Sequence, residues 1–281
     1  MKKIVFILMA LLPLLNFAQK KEKIKGNREV ITRVYTVAPF RFLELGDDLE
    51  IRLIKTADTT QIQLKADENL HEVLKWDVND GKLKLWLSKK IVSKKKFEIT
   101  VMVPGNFEGI YLYDHARANT EEKLTFKNFY VEMHDRSKAD LLLKIKDTIG
   151  IRLTNNAELK QDLDCDKLRM EIDKDGSFKG TVFAGELDVN MSDSGDIRMN
   201  GRVKNIGLKM KGHAEFGGYK TDITHNAEVD LKNKATVRLH GKGGDRIQIS
   251  LTDSASLYIK GQFGDYKIKK FKGDSAIFHK D

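Results

Sequence analysis

Residues 110–281 repeat themselves about every twenty positions, and this period constrains the fold more than any other feature of the chain. One small residue marks each unit: Ala116, Ser137, Ala157, Gly176, Gly195, Ala214, Ala235, Ala255 and Ser275. Four positions before each marker stands an apolar residue, in order Leu112, Met133, Leu153, Ile172, Met191, Met210, Leu231, Leu251 and Phe271. Six before, the column runs Ile110, Val131, Ile151, Met170, Val189, Leu208, Val229 and Ile249, until Lys269 breaks it. Two after come Ala118, Ala139, Leu159, Phe178, Ile197, Phe216, Val237, Leu257 and Ile277. Apolar and polar residues alternate inside each unit, which is the period of a strand. A fixed spacing of this length marks a stacked repeat, in which no unit can bury its apolar face alone. The expectation is an all-β fold: a right-handed parallel β-helix, or β-solenoid, of about nine rungs.

The start of the chain reads as a secretory leader. Lys2 and Lys3 precede an apolar run over residues 4–15, broken only by Pro13, and Ala18 offers a cleavage point before Gln19. That run falls short of the roughly twenty residues that span a bilayer. The protein is therefore expected to be exported, to the periplasm, the outer surface or the extracellular space. The formal charge of the whole chain is +9, and loss of Lys2 and Lys3 with the leader brings it to +7. Lys20, Lys21, Lys23, Lys25 and Arg28 crowd the new N-terminus, and Lys89, Lys90, Lys94, Lys95 and Lys96 form a second basic run. Both read as solvated segments. Export argues against a nucleic-acid partner, while an acidic glycan or a lipid head group stays open. Cys165 is alone, so no disulfide forms within the chain.

The sequence predicts a leader over 1–18, a basic flexible segment over 19–27, an N-terminal β cap over 28–105 and the repeats over 106–281, with 28–281 read as one continuous domain. Alternation predicts strands near 28–35, 42–53, 61–64, 83–87 and 97–103. Residues 67–74 predict one short helical turn with Asp67 as N-cap. Asn79-Asp80-Gly81 predicts a tight hairpin, because Asp-Gly takes the positive φ such turns require. These elements are assigned to cover the raw end of the stack.

Here the chain resembles a family. The stretch from Ile62-Gln63-Leu64-Lys65-Ala66-Asp67 through Trp76-Asp77-Val78-Asn79-Asp80-Gly81 looks like the N-terminal signature of the head GIN domain family, an auto-transporter adhesin type abundant in Bacteroidetes. Phe97-Glu98-Ile99-Thr100-Val101-Met102-Val103-Pro104, followed by Gly109-Ile110, is similar to its passage into the repeats, and Asp193-Ser194-Gly195 and Asp253-Ser254-Ala255 resemble its turns. The resemblance implies a right-handed β-helix and an exported envelope or surface protein. It brings no catalytic residue and no established ligand. His115, Arg136 and Asn156 depart from the small residues common in those turns.

No nucleophile elbow, P-loop or dinucleotide fingerprint is present, and Gly241-Lys242-Gly243-Gly244 reads as a loop between rungs. Two before each marker runs a column of Asp114, Asp135, Asn155, Lys174, Asp193, Gly212, Asn233, Asp253 and Gly273. A calcium ladder needs six to eight oxygens, and Lys174 would repel the ion, so the column reads as turn chemistry. No cofactor is expected. The spacing of His115, His134 and His213 matches no zinc signature. The candidate ligand-contact residues are Tyr111 and Tyr113, which could stack on a sugar, His115 and His134 beside them, and Lys209, Lys211 and Lys232, which could meet an acidic polymer. The leading reading is a non-enzymatic, adhesin-like envelope or surface protein, with a glycan, an acidic surface polymer or an envelope protein as partner. The alternatives are a polysaccharide-lyase-like β-helix and a structural envelope spacer.

Overall fold

The small markers sit at corners too tight for anything larger. Ala116, Ser137, Ala157, Ala214, Ala235 and Ala255 are fully buried. A Cβ at Gly195 would lie 3.0 Å from Ile172 Cγ2 and 3.2 Å from Met191 Cε. At the corners of Ala116, Ser137, Ala157, Gly176, Gly195, Ala235 and Ala255 the chain makes a four-residue turn in which the marker's N–H donates to the carbonyl three residues back, as from Ala116 to Tyr113 (3.0 Å) and from Ala255 to Thr252 (3.3 Å). The second residue of the turn has a left-handed backbone: Asp114 (φ 58°), Asp135 (60°), Asn155 (59°), Lys174 (55°), Asp193 (55°), Asn233 (60°) and Asp253 (63°), with Gly212 at 78°. That conformation explains the column of Asp, Asn and Gly. Asp47 (59°) makes the same turn, so a rung precedes those the repeat marks.

The computed structural model describes residues 21–56, 59–273 and 276–281; the expected leader lies outside the described residues. The N-terminal strands are β1 (Lys23–Lys25), β2 (Val30–Thr36), β3 (Phe42–Leu45), β4 (Glu50–Lys55), β5 (Gln61–Asp67), β6 (Leu74–Asn79), β7 (Lys82–Leu87), β8 (Lys90–Ser93) and β9 (Phe97–Val103). Then come β10 (Gly109–Leu112), β11 (Arg117–Asn119), β12 (Leu124–Phe126), β13 (Phe129–Met133), β14 (Lys138–Ile145), β15 (Thr148–Leu153), β16 (Glu158–Ile172) and β17 (Ser177–Met191). The last are β18 (Asp196–Met210), β19 (Glu215–Ile223), β20 (Asn226–Leu231), β21 (Thr236–Thr252), β22 (Ser256–Lys272) and β23 (Ile277–Lys280).

Rung stacks on rung in parallel register, making a β-solenoid. Before each corner, a first sheet runs β7–β3–β10–β13–β15 and on through the second halves of β16, β17 and β18 to β20, β21 and β22. After each corner, a second sheet runs β9–β4–β11–β14 and on through β16, β17, β18, β19, β21 and β22 to β23. Further along the coil β12 pairs with the end of β14, Phe126 opposite Ile145. The parallel stack thus reaches β3, β4, β7 and β9, below residue 106. Beneath it the strands turn antiparallel, β2 on β5, β5 on β9 and β6 on β7, the last through the Asp80-Gly81 hairpin. Antiparallel strands close the N-terminal end. Phe40, Phe107, Phe126 and Phe129 form a buried aromatic cluster inside the lowest rungs.

The column four before the marker is interior from Leu112 to Leu251; Met191 is 3% exposed. Phe271 departs from it at 50%, because among the described residues no further rung covers the last one. That rung also shifts. A bulge lets Ile268 rather than Lys269 pair with Ile249, and Phe278 rather than Ile277 stacks on Leu257. Ile277 N–H donates to the Ala255 carbonyl, which puts Ala276 at the corner; the expected marker Ser275 lies outside the described residues.

Three local readings also change. The helical turn is a single 3₁₀ turn, Glu68–Leu70, and the Asp67 side chain does not cap it. Asp67 is wholly buried and its carboxylate instead accepts the N–H groups of Arg28 (3.1 Å), Lys95 (3.0 Å) and Lys96 (2.9 Å). Gly241-Lys242-Gly243-Gly244 is a bulged stretch within β21. Its glycines clear space for the Phe263 ring, which would stand 2.5 Å from a Cβ at Gly244. Finally, the segment read as flexible, 19–27, contains β1, whose Ile24 packs on the core and pairs with Ile91 of β8.

Candidate functional site

Because positions six and four before the marker point inward, positions five and three before it point out from the first sheet. Parallel register stacks these outward residues: Tyr111 faces Glu132, Glu132 faces Arg152, Arg152 faces Glu171, Glu171 faces Asn190, Asn190 faces Lys209, and Lys209 faces Asp230. Tyr111, Tyr113, His134, Lys209, Lys211 and Lys232 therefore share one face of one sheet. His115 does not join them. It stands exposed at a turn tip, its Nδ1 3.6 Å from Asp48.

One end of this face is aromatic. Tyr111 lies between Phe42 (ring centroids 6.0 Å apart) and Tyr130 (5.8 Å), with Lys82 Nζ 4.3 Å above its ring. Tyr113 stacks on His134 at 5.0 Å with the rings 6° apart. Glu132 ties the group together: His134 Nε2 lies 2.8 Å from one carboxylate oxygen, and the Tyr130 hydroxyl donates to the other at 2.8 Å. Burial alone would raise the Glu132 pKa; the bonds from His134 and Tyr130 and the charge of Arg152 outweigh it and hold the carboxyl below its usual range. Burial, then the Glu132 bond, pushes the Tyr130 phenol well above its ordinary value. Burial would likewise raise Glu44, and Lys84 and Lys82 bring it down. The result is a half-buried aromatic patch with a charged rim.

Further along, the face dips into a groove of about 410 Å³. Its floor is set by the short side chains of Asn190 and Ser192, with Glu171 and Asp173 on one wall and Lys209 and Lys211 on the other. The walls are two rung spacings apart, about 9.6 Å. The Ser192 hydroxyl donates to Asp173, and this bond is the main cause that holds the Asp173 carboxyl below its usual range. Lys232 lies 3.9 Å from Asp230. Lys209 and Lys211 form no salt bridge among the described residues. An anionic group entering the groove would meet their ammonium groups without displacing a protein carboxylate.

The profile of the family described as "Putative auto-transporter adhesin, head GIN domain" matches residues 39–160 and 146–262. The chain belongs to the head GIN domain family. No curated protein matches its sequence. Among solved structures it is similar to "a putative adhesin" from Parabacteroides merdae, with a TM-score of 0.68, 17% identity, and coverage of 92% of this chain and 99% of that one. A "Putative lipid binding protein" from Parabacteroides distasonis gives 0.62 at 14% identity, covering 92% and 100%. A "putative adhesin" from Parabacteroides distasonis gives 0.57 at 14% identity, again covering 92% and 100%. At these identities the likeness is one of fold.

In this head GIN chain the Asp and Asn column is a structural device. Its side chains bond from rung to rung: Asp114 accepts the N–H of Asp47 (3.0 Å), Asn155 donates to Asp135 (2.9 Å), and Lys174 donates to Asn155 (2.9 Å). Among the described residues no three His, Cys, Asp or Glu side chains are placed to hold a metal ion. Cys165 is buried, and desolvation with Asp164 and Asp166 nearby pushes its thiol up to about 12, which suppresses the reactive thiolate. Tyr130, Glu132 and Asp173 were not among the residues the sequence singled out. Tyr130 lies seven before its marker, an outward column whose other members, such as Gly150, Arg169 and Asp188, share no chemistry with it.

Proposed function

We propose that this head GIN chain is an exported, adhesin-like binding protein that holds an acidic glycan against the outer face of its first sheet, without chemical turnover. One observation carries the reading: residues up to six rungs apart converge on a single face, aromatic at one end and lysine-lined further along. Aromatic rings offer sugars an apolar stacking surface, and unpaired lysines at a groove offer a carboxylate or sulfate its counter-charge. The family description and the names of the similar structures support adhesion; the leader-like start of the sequence supports export. Tyr111 needs Lys82 to swing off its ring before a sugar can stack there, a motion available to a flexible side chain.

The test is a glycan array probed with residues 19–281. Acidic glycans are expected to bind above neutral ones. Charge reversal with Lys209→Glu and Lys211→Glu should cut that signal about tenfold or more, and Tyr111→Ala should weaken it. Equal binding of neutral and acidic glycans, or cleavage of any bound polysaccharide, overturns the reading.

A further inference from the structure

A second charged surface lies at the capped end. The buried Asp67 carboxylate draws in the backbone N–H groups of Arg28, Lys95 and Lys96, which fastens together the two basic runs that the sequence keeps more than sixty residues apart. Between them β1 and β8 form a two-stranded parallel ribbon. Ile24 and Ile91 pair on its inner side against the core. Lys23 and Lys90 pair on its outer side, in register and both exposed. Strands sit about 4.8 Å apart, and like charges directly opposite one another oppose the pairing.

Nearby acids do not relieve that repulsion. Glu22 is engaged by Lys89 (2.8 Å), Glu98 by Lys96, and Asp47 by Lys21 (2.5 Å). Lys23, Lys25, Lys90 and Lys95 form no salt bridge among the described residues. Lys94 rests over the Phe97 ring at 5.4 Å. At the bulge between the strands Val92 is 44% exposed, an apolar side chain among the lysines.

We propose that the β1–β8 ribbon is a docking surface for an anionic phospholipid bilayer. Phosphate head groups supply the charge the Lys23–Lys90 pair lacks, and Val92 suits the boundary between head group and acyl chain. The apolar run over residues 4–15 precedes the ribbon closely in sequence. A chain that crosses a membrane leader-first thus delivers this ribbon at the bilayer surface. An acidic polymer would use the lysines and leave Val92 without a role.

Sedimentation of residues 19–281 with vesicles tests this. Vesicles of phosphatidylglycerol in phosphatidylcholine should carry the protein down at low salt, pure phosphatidylcholine vesicles should not, and salt should release it. Each lysine near an anionic surface contributes roughly a fivefold change in partitioning. Lys23→Gln with Lys90→Gln should therefore lower vesicle binding by about twentyfold or more. The same variant should keep or raise the midpoint of thermal unfolding, because it removes a repulsion. A merely structural pair would not show that opposition. Equal sedimentation with both vesicle types, insensitivity to the double variant, or binding to heparin with none to the vesicles overturns the proposal. The glycan face is untouched by this variant, so its array signal is expected to persist.

Discussion

Asp67 shows how one buried side chain can organise a distant region. A carboxylate out of water is costly unless its oxygens are satisfied. Desolvation would raise its pKa, but the N–H groups of Lys95, Lys96 and Arg28, with the Arg28 charge, outweigh it and lower the pKa. A folded-state pKa below the unfolded one stabilises the protein above the unfolded value, near 4, and that contribution is lost as pH falls through the folded value. Asp67→Asn is therefore expected to unfold at lower urea than the parent at pH 7, with the gap narrowing as the pH drops below about 4. A gap that is the same at both pH values would contradict the role given to the charge. Gly26 belongs to the same arrangement, since a Cβ there would stand 1.9 Å from the Asp67 carboxylate. Nothing in the local sequence separates Asp67 as an anion held by three backbone donors from Asp67 as a helix cap. The donors come from residues 28, 95 and 96, and only the fold brings them together.

At the scale of elements, the corner is the unit that the period encodes. Marker, left-handed residue and inward column recur because each corner must accept the one beneath it. Asp193 at φ 55° makes a direct test. Asp193→Val forces a β-branched residue into the left-handed region and is expected to cost about 1–2 kcal/mol, while Asp193→Gly should stay within about 0.5 kcal/mol. Chemical denaturation of the two variants checks this, and equal effects would remove conformation as the cause of the column. The corner pattern read from the sequence holds from Ala116 to Ala255. It changes in the last rung, where a bulge before Lys270 and a corner at Ala276 lengthen the unit. It missed Asp47 because strands β5 to β9 lie in the chain between that rung and β10 and break the period. The face proposed for recognition was partly legible, since Tyr111, Tyr113, His134, Lys209, Lys211 and Lys232 fall in two outward columns. The network of Glu132 with Tyr130 and His134 was not, because it joins three different columns through side-chain reach.

The whole molecule is a stack with unlike ends. Antiparallel strands close the N-terminal end, and the β1–β8 ribbon flanks it with lysines. The other end leaves Ile268 and Phe271 about half exposed, edged by Lys267, Lys270 and Lys272, the kind of charged edge that resists pairing with another chain. Between the ends, one inward-outward register sets both the core and the face proposed to bind. Met191 and Asn190 are adjacent in β17, one 3% exposed in the interior and the other at the floor of the groove. Met191→Asp puts a charge into the stack and is expected to destabilise by several kcal/mol, whereas Asn190→Asp should shift stability by about 0.5 kcal/mol or less. Urea unfolding of both variants under one condition is the measurement, compared by midpoint because long repeat arrays do not unfold in a single step. A large loss for Met191→Asp with little change for Asn190→Asp is the predicted result; equal losses from the two neighbours would contradict the register and, with it, the face assigned to recognition.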